Sequence, residues 1–137
     1  FRHMNGGDLN ARHKHLGTTG VEWLSRDVAV HHAFRADQLT FDAKIIERFG
    51  LVDALRLMGK PKRDLPHDIP VLIMVGDDDP LGGEDSAALL ADAYVTRSGL
   101  SNVEALIYKD ARHEIFNETN KEEVFADLVE WLDAHTA

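Results

Sequence analysis

The chain contains no cysteine, which excludes disulfides, thiolate metal sites and cysteine nucleophiles, and fits a reducing cytoplasm without special explanation. Cytoplasmic is therefore the expected compartment. No apolar run approaches the roughly 20 residues needed to cross a bilayer, and no charged n-region followed by an apolar h-region and cleavage site opens the chain. An integral membrane segment is not expected. Basic residues are in the minority, with Lys and Arg at 15 against 24 Asp and Glu and a net charge of -9. Nucleic acid is thereby disfavoured as a partner, because phosphate binding needs clustered cations that release counterions. The short basic patch Lys60, Lys62, Arg63 is interrupted by Pro61 and reads as a solvated loop. Internal repeats and low-complexity tracts are also missing.

What remains is an ordinary globular composition, 44% hydrophobic and 28% charged over 137 residues, enough for one core and too little for two full domains. The first residue is Phe1 rather than Met, and a truncated start is expected. Residues 1–20 lack a sustained apolar period and read as irregular or as short helical pieces. A short helix is predicted between Val21 and Asp37, with Ser25 as its N-cap. From Thr40 to Met58, Phe41, Ile45, Phe49, Val52, Leu55 and Met58 recur at three- and four-residue steps, which predicts an amphipathic helix stopped by Gly59 and Pro61. Three of the four prolines fall between Lys60 and Pro70, the clearest boundary in the chain.

Beyond that boundary, Val71-Leu72-Ile73-Met74-Val75 ends at Gly76 and reads as a strand buried on both faces. A helix is predicted from Asp85 to Ser98 with Gly99 as its stop, a second strand from Val103 to Tyr108, and a final helix from Asn120 to His135. Val124, Leu128, Trp131 and Leu132 lie on one face of that last helix, and Thr119 with Glu122 forms a capping box at its start. Strand, helix, strand, helix is a βαβα unit, with parallel strands and a right-handed crossover.

In open α/β sheets the chemistry gathers in loops beyond the carboxyl ends of the strands. Two loops qualify, Gly76 to Gly83 and Lys109 to Ile115. Asp79 lies on the first and His113 on the second. If the strands are neighbours their ends are about 5 Å apart, and an aspartate on one imidazole nitrogen prepares the other to act as a general base. Each residue also has a plainer reading, since Asp before Pro is a common turn former and a loop histidine is usually inert.

The stretch from Ile69-Pro70-Val71 through Gly76-Asp77-Asp78-Asp79-Pro80 to Ala111-Arg112-His113-Glu114 and the helix with Trp131 resembles the C-terminal half of α/β-hydrolases of the lysophospholipase and monoacylglycerol lipase type, serine hydrolases of the S33 kind. Glu22-Trp23-Leu24-Ser25-Arg26-Asp27 resembles a segment of their cap. The resemblance covers roughly residues 21–137 and implies Asp79 as the acid and His113 as the histidine of a Ser-Asp-His triad. It implies further a helical cap over residues 1–66 and part of the hydrolase core over 67–137. The substrate implied is a small ester with an apolar acyl chain, and no cofactor is implied.

The departure from that pattern is the nucleophile. No Gly-x-Ser-x-Gly elbow occurs, since none of Ser25, Ser86, Ser98 and Ser101 has a glycine two residues away on both sides. The expectation is an N-terminal half of the same protein, outside these residues, that holds the serine, and a chain inactive by itself. Exposed sheet edges also invite pairing with a second copy, so a homo-oligomer is an expectation. Two other readings stay open. One is a non-catalytic binding or dimerisation module on the hydrolase scaffold. The other is a Mg²⁺-dependent phosphoryl-transfer site at Asp77, Asp78 and Asp79. His13, His15, His31 and His32 have spacings unsuited to a metal site on one helix face, and read as surface or packing residues.

Overall fold

A computed structural model describes residues 9–40, 50–53 and 59–136. Helix α1 is Val28–Ala36, strand β1 Val71–Gly76, helix α2 Gly83–Thr96, strand β2 Val103–Tyr108, and helix α3 Lys121–His135, with a 3₁₀ turn at Ile115–Asn117. β1 and β2 pair in parallel, from Val71 opposite Val103 to Gly76 opposite Tyr108, and α2 makes the crossover between them. The predicted βαβα order is the observed one. It brings the carboxyl ends of both strands, and the loops that follow them, side by side.

Local chemistry explains the element ends. Gly99, at φ +75°, takes the left-handed conformation after α2, and its N–H donates to the Val95 carbonyl at 3.2 Å, closing the helix where a Cβ would be strained. Gly76 ends β1 for a different reason. A side chain there would run into the carbonyl oxygens of Ala111 and Arg112, so only glycine lets the histidine loop lie directly on the strand end.

Three local expectations are corrected. The N-cap of α1 is Asp27, whose carboxylate accepts the Ala29 N–H at 2.9 Å. Ser25 instead donates to the Asn117 carbonyl at 2.9 Å, a long-range partner that outweighs its local capping tendency. At α3 the Thr119–Glu122 box is not formed. Asn120 occupies the N-cap position without a side-chain cap bond and bonds Glu123 instead at 2.9 Å. Finally, β1 is half-buried rather than buried on both faces, and β2 exposes Glu104, Ala105 and Ile107. Among the described residues the sheet has two strands, and so small a sheet cannot cover its own faces.

The apolar core joins Tyr108, Ala111, Ile115 and Val124, with Met74 and Leu106 against it. It therefore sits beneath the histidine loop, between the sheet and the start of α3. The Tyr108 hydroxyl donates to Asp127 at 2.9 Å, tying α3 to β2. The helix expected over Thr40–Met58 lies outside the described residues except for Thr40 and residues 50–53, of which the last four are helical with Leu51 and Val52 exposed. Among the described residues no helix is long and apolar enough to cross a membrane.

Candidate active site

The two loops are stitched together by their backbones before any side chain acts. Past the last ladder pair, the Asp77 N–H donates to the Tyr108 carbonyl at 3.1 Å and the Asp78 N–H to the Ala111 carbonyl at 3.0 Å. Asp110, at φ +60°, turns its own N–H onto the Asp77 carboxylate at 2.6 Å. These bonds make the acid loop and the histidine loop one rigid surface.

On that surface Asp79 Oδ2 meets His113 Nδ1 at 2.9 Å. Asp79 Oδ1 accepts the Leu81 N–H at 2.8 Å, so both carboxylate oxygens are occupied and the side chain has one orientation. An ionised carboxylate only accepts, which makes Nδ1 the protonated nitrogen. Nε2 is left without a hydrogen bond to any described residue. The Asp79 side chain is 9% exposed and that of His113 36%, so the acid is enclosed while the imidazole reaches solvent.

The electrostatics follow from this geometry. Burial alone would raise the Asp79 carboxyl. The His113 hydrogen bond, the Leu81 N–H and the charges of His113 and His13 outweigh it and hold the group below its ordinary value. The Asp79 hydrogen bond raises His113 above the usual imidazole range, against the opposing effect of burial, with help from the charges of Asp79 and Glu114. A carboxylate that fixes the tautomer and favours the imidazolium, with the second nitrogen free, is an arrangement suited to general base chemistry.

Residues 22–26 hold the histidine loop from the other side. The His113 N–H donates to the Trp23 carbonyl at 3.3 Å and the Glu114 N–H to that of Leu24 at 2.7 Å. Arg112 Nη1 donates to the carbonyls of Glu22 and Ser25 at 2.6 and 2.8 Å. Beneath them, the buried Glu118 accepts from the N–H groups of Arg112, Arg26 and Thr119 and from Arg26 Nε at 2.8 to 3.0 Å. Burial opposes its ionisation, yet these donors keep it below the ordinary carboxylate range. Glu22 is similar. Burial would raise it, but bonds from Thr19 and Asn10 bring it down to about 2.

Sequence reasoning missed Arg112, Glu118 and Glu22 because buried charges look like surface charges until their partners are known. The alternative reading of the three aspartates as a cation site does not fit their partners. Asp77 accepts from Asp110. Asp78 faces His13 at 2.7 Å and Arg12 at 3.5 Å, and Asp79 faces His113. Their oxygens diverge onto separate partners, and among the described residues no group of three or more His, Cys, Asp or Glu side chains is placed to hold a metal ion. His13, read as a surface or packing residue, is buried and bonded to Asp78. No serine hydroxyl contacts His113, since Ser25, Ser98 and Ser101 donate to the carbonyls of Asn117, Lys62 and His67, and no bond joins Ser86 to the imidazole.

Comparison with known proteins agrees with this fold. Residues 9–120 match the serine aminopeptidase S33 family, Hydrolase_4. The chain belongs to that family. Its relatives include a monoacylglycerol lipase of Mycolicibacterium smegmatis, 31% identical over 114 residues that make up 82% of this chain and 39% of that protein. A monoglyceride lipase of Saccharomyces cerevisiae is 33% identical over 78 residues, 55% of this chain and 24% of that protein. Among solved structures, a carboxyl esterase from Bacillus coagulans in complex with glycerol superposes with a TM-score of 0.70 at 24% identity, covering 96% of this chain and 44% of that one. A soluble variant of the yeast monoglyceride lipase in complex with a substrate analog gives 0.64 at 24% identity, with 83% and 41% covered. The fold of this S33 family member is that of part of an α/β-hydrolase. It spans less than half the length of each of these proteins.

Proposed function

We propose that this chain supplies the acid, Asp79, and the base, His113, of a Ser-Asp-His triad in a carboxylic ester hydrolase of the monoacylglycerol lipase and lysophospholipase type. The nucleophilic serine comes from an N-terminal half outside these 137 residues, on the elbow that precedes acid and histidine in this fold. The reading rests on one observation above the others, the 2.9 Å contact of Asp79 with His113 Nδ1, and is supported by the names of the relatives.

The reaction is acyl transfer. The serine hydroxyl attacks the ester carbonyl while His113 Nε2 takes its proton, and the imidazolium returns that proton to the leaving alkoxide. Water then attacks the acyl-enzyme by the same exchange in reverse, releasing the acid and the free serine. Asp79 holds Nδ1 and stabilises the imidazolium without taking its proton. Residues 1–66 form the cap side of this enzyme and 67–137 the C-terminal part of its core. The substrate is an ester with an apolar acyl chain. The 137-residue chain alone is inactive.

The test uses the longer protein that carries this chain. It hydrolyses short-chain acyl esters and monoacylglycerols, is labelled by a serine-reactive phosphonate, and loses turnover on His113→Ala or Asp79→Asn. An intact longer protein that binds such esters but turns none over would replace this reading with that of a binding module.

A further inference from the structure

The imidazole of His113 is held at one edge by Asp79 and along one face by an indole. The Trp23 and His113 rings lie with centroids 4.9 Å apart and planes inclined by 36°, within the range of favourable aromatic contacts. The same residue fixes the backbone, since its carbonyl accepts the His113 N–H at 3.3 Å. The Trp23 backbone is itself anchored, because its main-chain N–H donates to Asn10 Oδ1 at 2.9 Å. A single hydrogen bond at Nδ1 leaves the imidazole free to swing about that bond, which would sweep Nε2 through an arc. An indole ring in contact with the imidazole at 4.9 Å between centroids restricts that swing.

We propose that Trp23 is a positioning residue for His113, setting the plane of the imidazole so that Nε2 points to the reacting oxygen. The proposal rests on the triad reading above. It predicts a defect in turnover rather than in substrate binding, because Trp23 acts through His113.

Two measurements on the longer protein test it. In the first, Trp23→Ala lowers kcat roughly ten- to a hundredfold, the scale of a small misplacement of a reacting group, with KM within about twofold, and Trp23→Phe restores most of the loss. The second reads the contact directly. A protonated imidazole quenches a neighbouring indole, so Trp23 emission rises with pH as His113 loses its proton. Trp131 stacks on His135 at 4.3 Å, so Trp131 and any tryptophan outside this chain are first changed to phenylalanine. Asp79→Asn then moves the emission midpoint to lower pH, and His113→Ala abolishes the titration.

Emission that ignores His113, or an unchanged kcat in a folded Trp23→Ala protein, overturns the proposal. So does an equal loss in the phenylalanine variant. The emission arm keeps Trp23 in place and stands even if the alanine variant fails to fold. Retained turnover in His113→Ala and Asp79→Asn would instead defeat the triad, whatever Trp23 emission does.

Discussion

The side of the histidine loop that faces residues 22–26 and the outer face of α3 invert the usual rule of apolar inside and polar outside. Glu22, Ser25, His31, Arg112 and Glu118 are buried beside that loop, each with hydrogen-bond partners. On α3, Phe125, Val129 and Leu132 remain 45%, 54% and 41% exposed. The difference lies in what each region must do. Apolar contact is non-directional and tolerates sliding, whereas a bonded polar lattice has one geometry and fails when a partner is lost. The site is built from the second kind of material, and the consequence should be visible in mutants.

The largest effect is expected at the centre of that lattice. Asp79→Asn should lower kcat by roughly 10⁴, because an amide presents the wrong partner to Nδ1 and releases the tautomer, while the protein stays folded. A loss below about tenfold in steady-state kinetics would mean the pair is only a structural contact.

Next comes the support. Glu118→Ala removes the acceptor shared by Arg26, Arg112 and Thr119 and should cost about 1–3 kcal/mol in denaturant unfolding, the penalty of leaving the buried Arg112 N–H without an acceptor, since the Arg26 side chain is 27% exposed and can turn to water. Glu118→Gln, which keeps the shape, should cost less. Equal losses would show that volume rather than bonding matters there.

The pH dependence sharpens the same contrast. Glu22, Glu118 and Asp79 are all held below their ordinary values, so the stability they add is complete above the usual carboxylate range, about pH 4. It is lost as pH falls through their lowered values. Denaturant midpoints should drop over that acid window, and Glu22→Gln should flatten the drop. His113 has the opposite sign. Its raised value adds stability below the ordinary imidazole value, about 6.5, and that share disappears as pH rises through the raised one. Activity runs the other way, because only the neutral ring is a base. kcat/KM should therefore climb across the interval in which His113 ceases to stabilise the fold.

The smallest effect belongs to the outer face. Val129→Ser on α3 should shift the stability of the 137-residue chain by less than about 0.5 kcal/mol. A larger loss would show that this face is covered in solution, and the comparison would then be between two buried regions.

The parts of the fold that were legible are those set by near neighbours in sequence. The five-residue apolar run at Val71–Val75 and the Gly99 stop announce their elements because period and backbone freedom are local properties. Asp79 and His113 were legible together, since consecutive crossovers bring successive loops to one edge of a parallel sheet. Ser25 shows the other side. Its local signal was for a cap, and a carbonyl at Asn117 took the hydroxyl instead. The burial and partners of Glu118 and Arg112 carried no local signal, because a charge separated from its partner in the chain cannot be told from a solvated one. The Trp23 segment was noticed only by its likeness to a cap, not as the cradle of the histidine loop.

By itself the sequence determined the parallel βαβα order, the absence of a nucleophile elbow, and which acid and which histidine share an edge. Tertiary structure decided that Asp79 reaches Nδ1 at 2.9 Å, that residues 22–26 grip the histidine loop, and that three adjacent aspartates each serve different partners. The reason is range. Turn and strand preferences act over a few residues, but the orientation of an imidazole depends on groups 34 and 90 positions away, which only folding brings within hydrogen-bond distance.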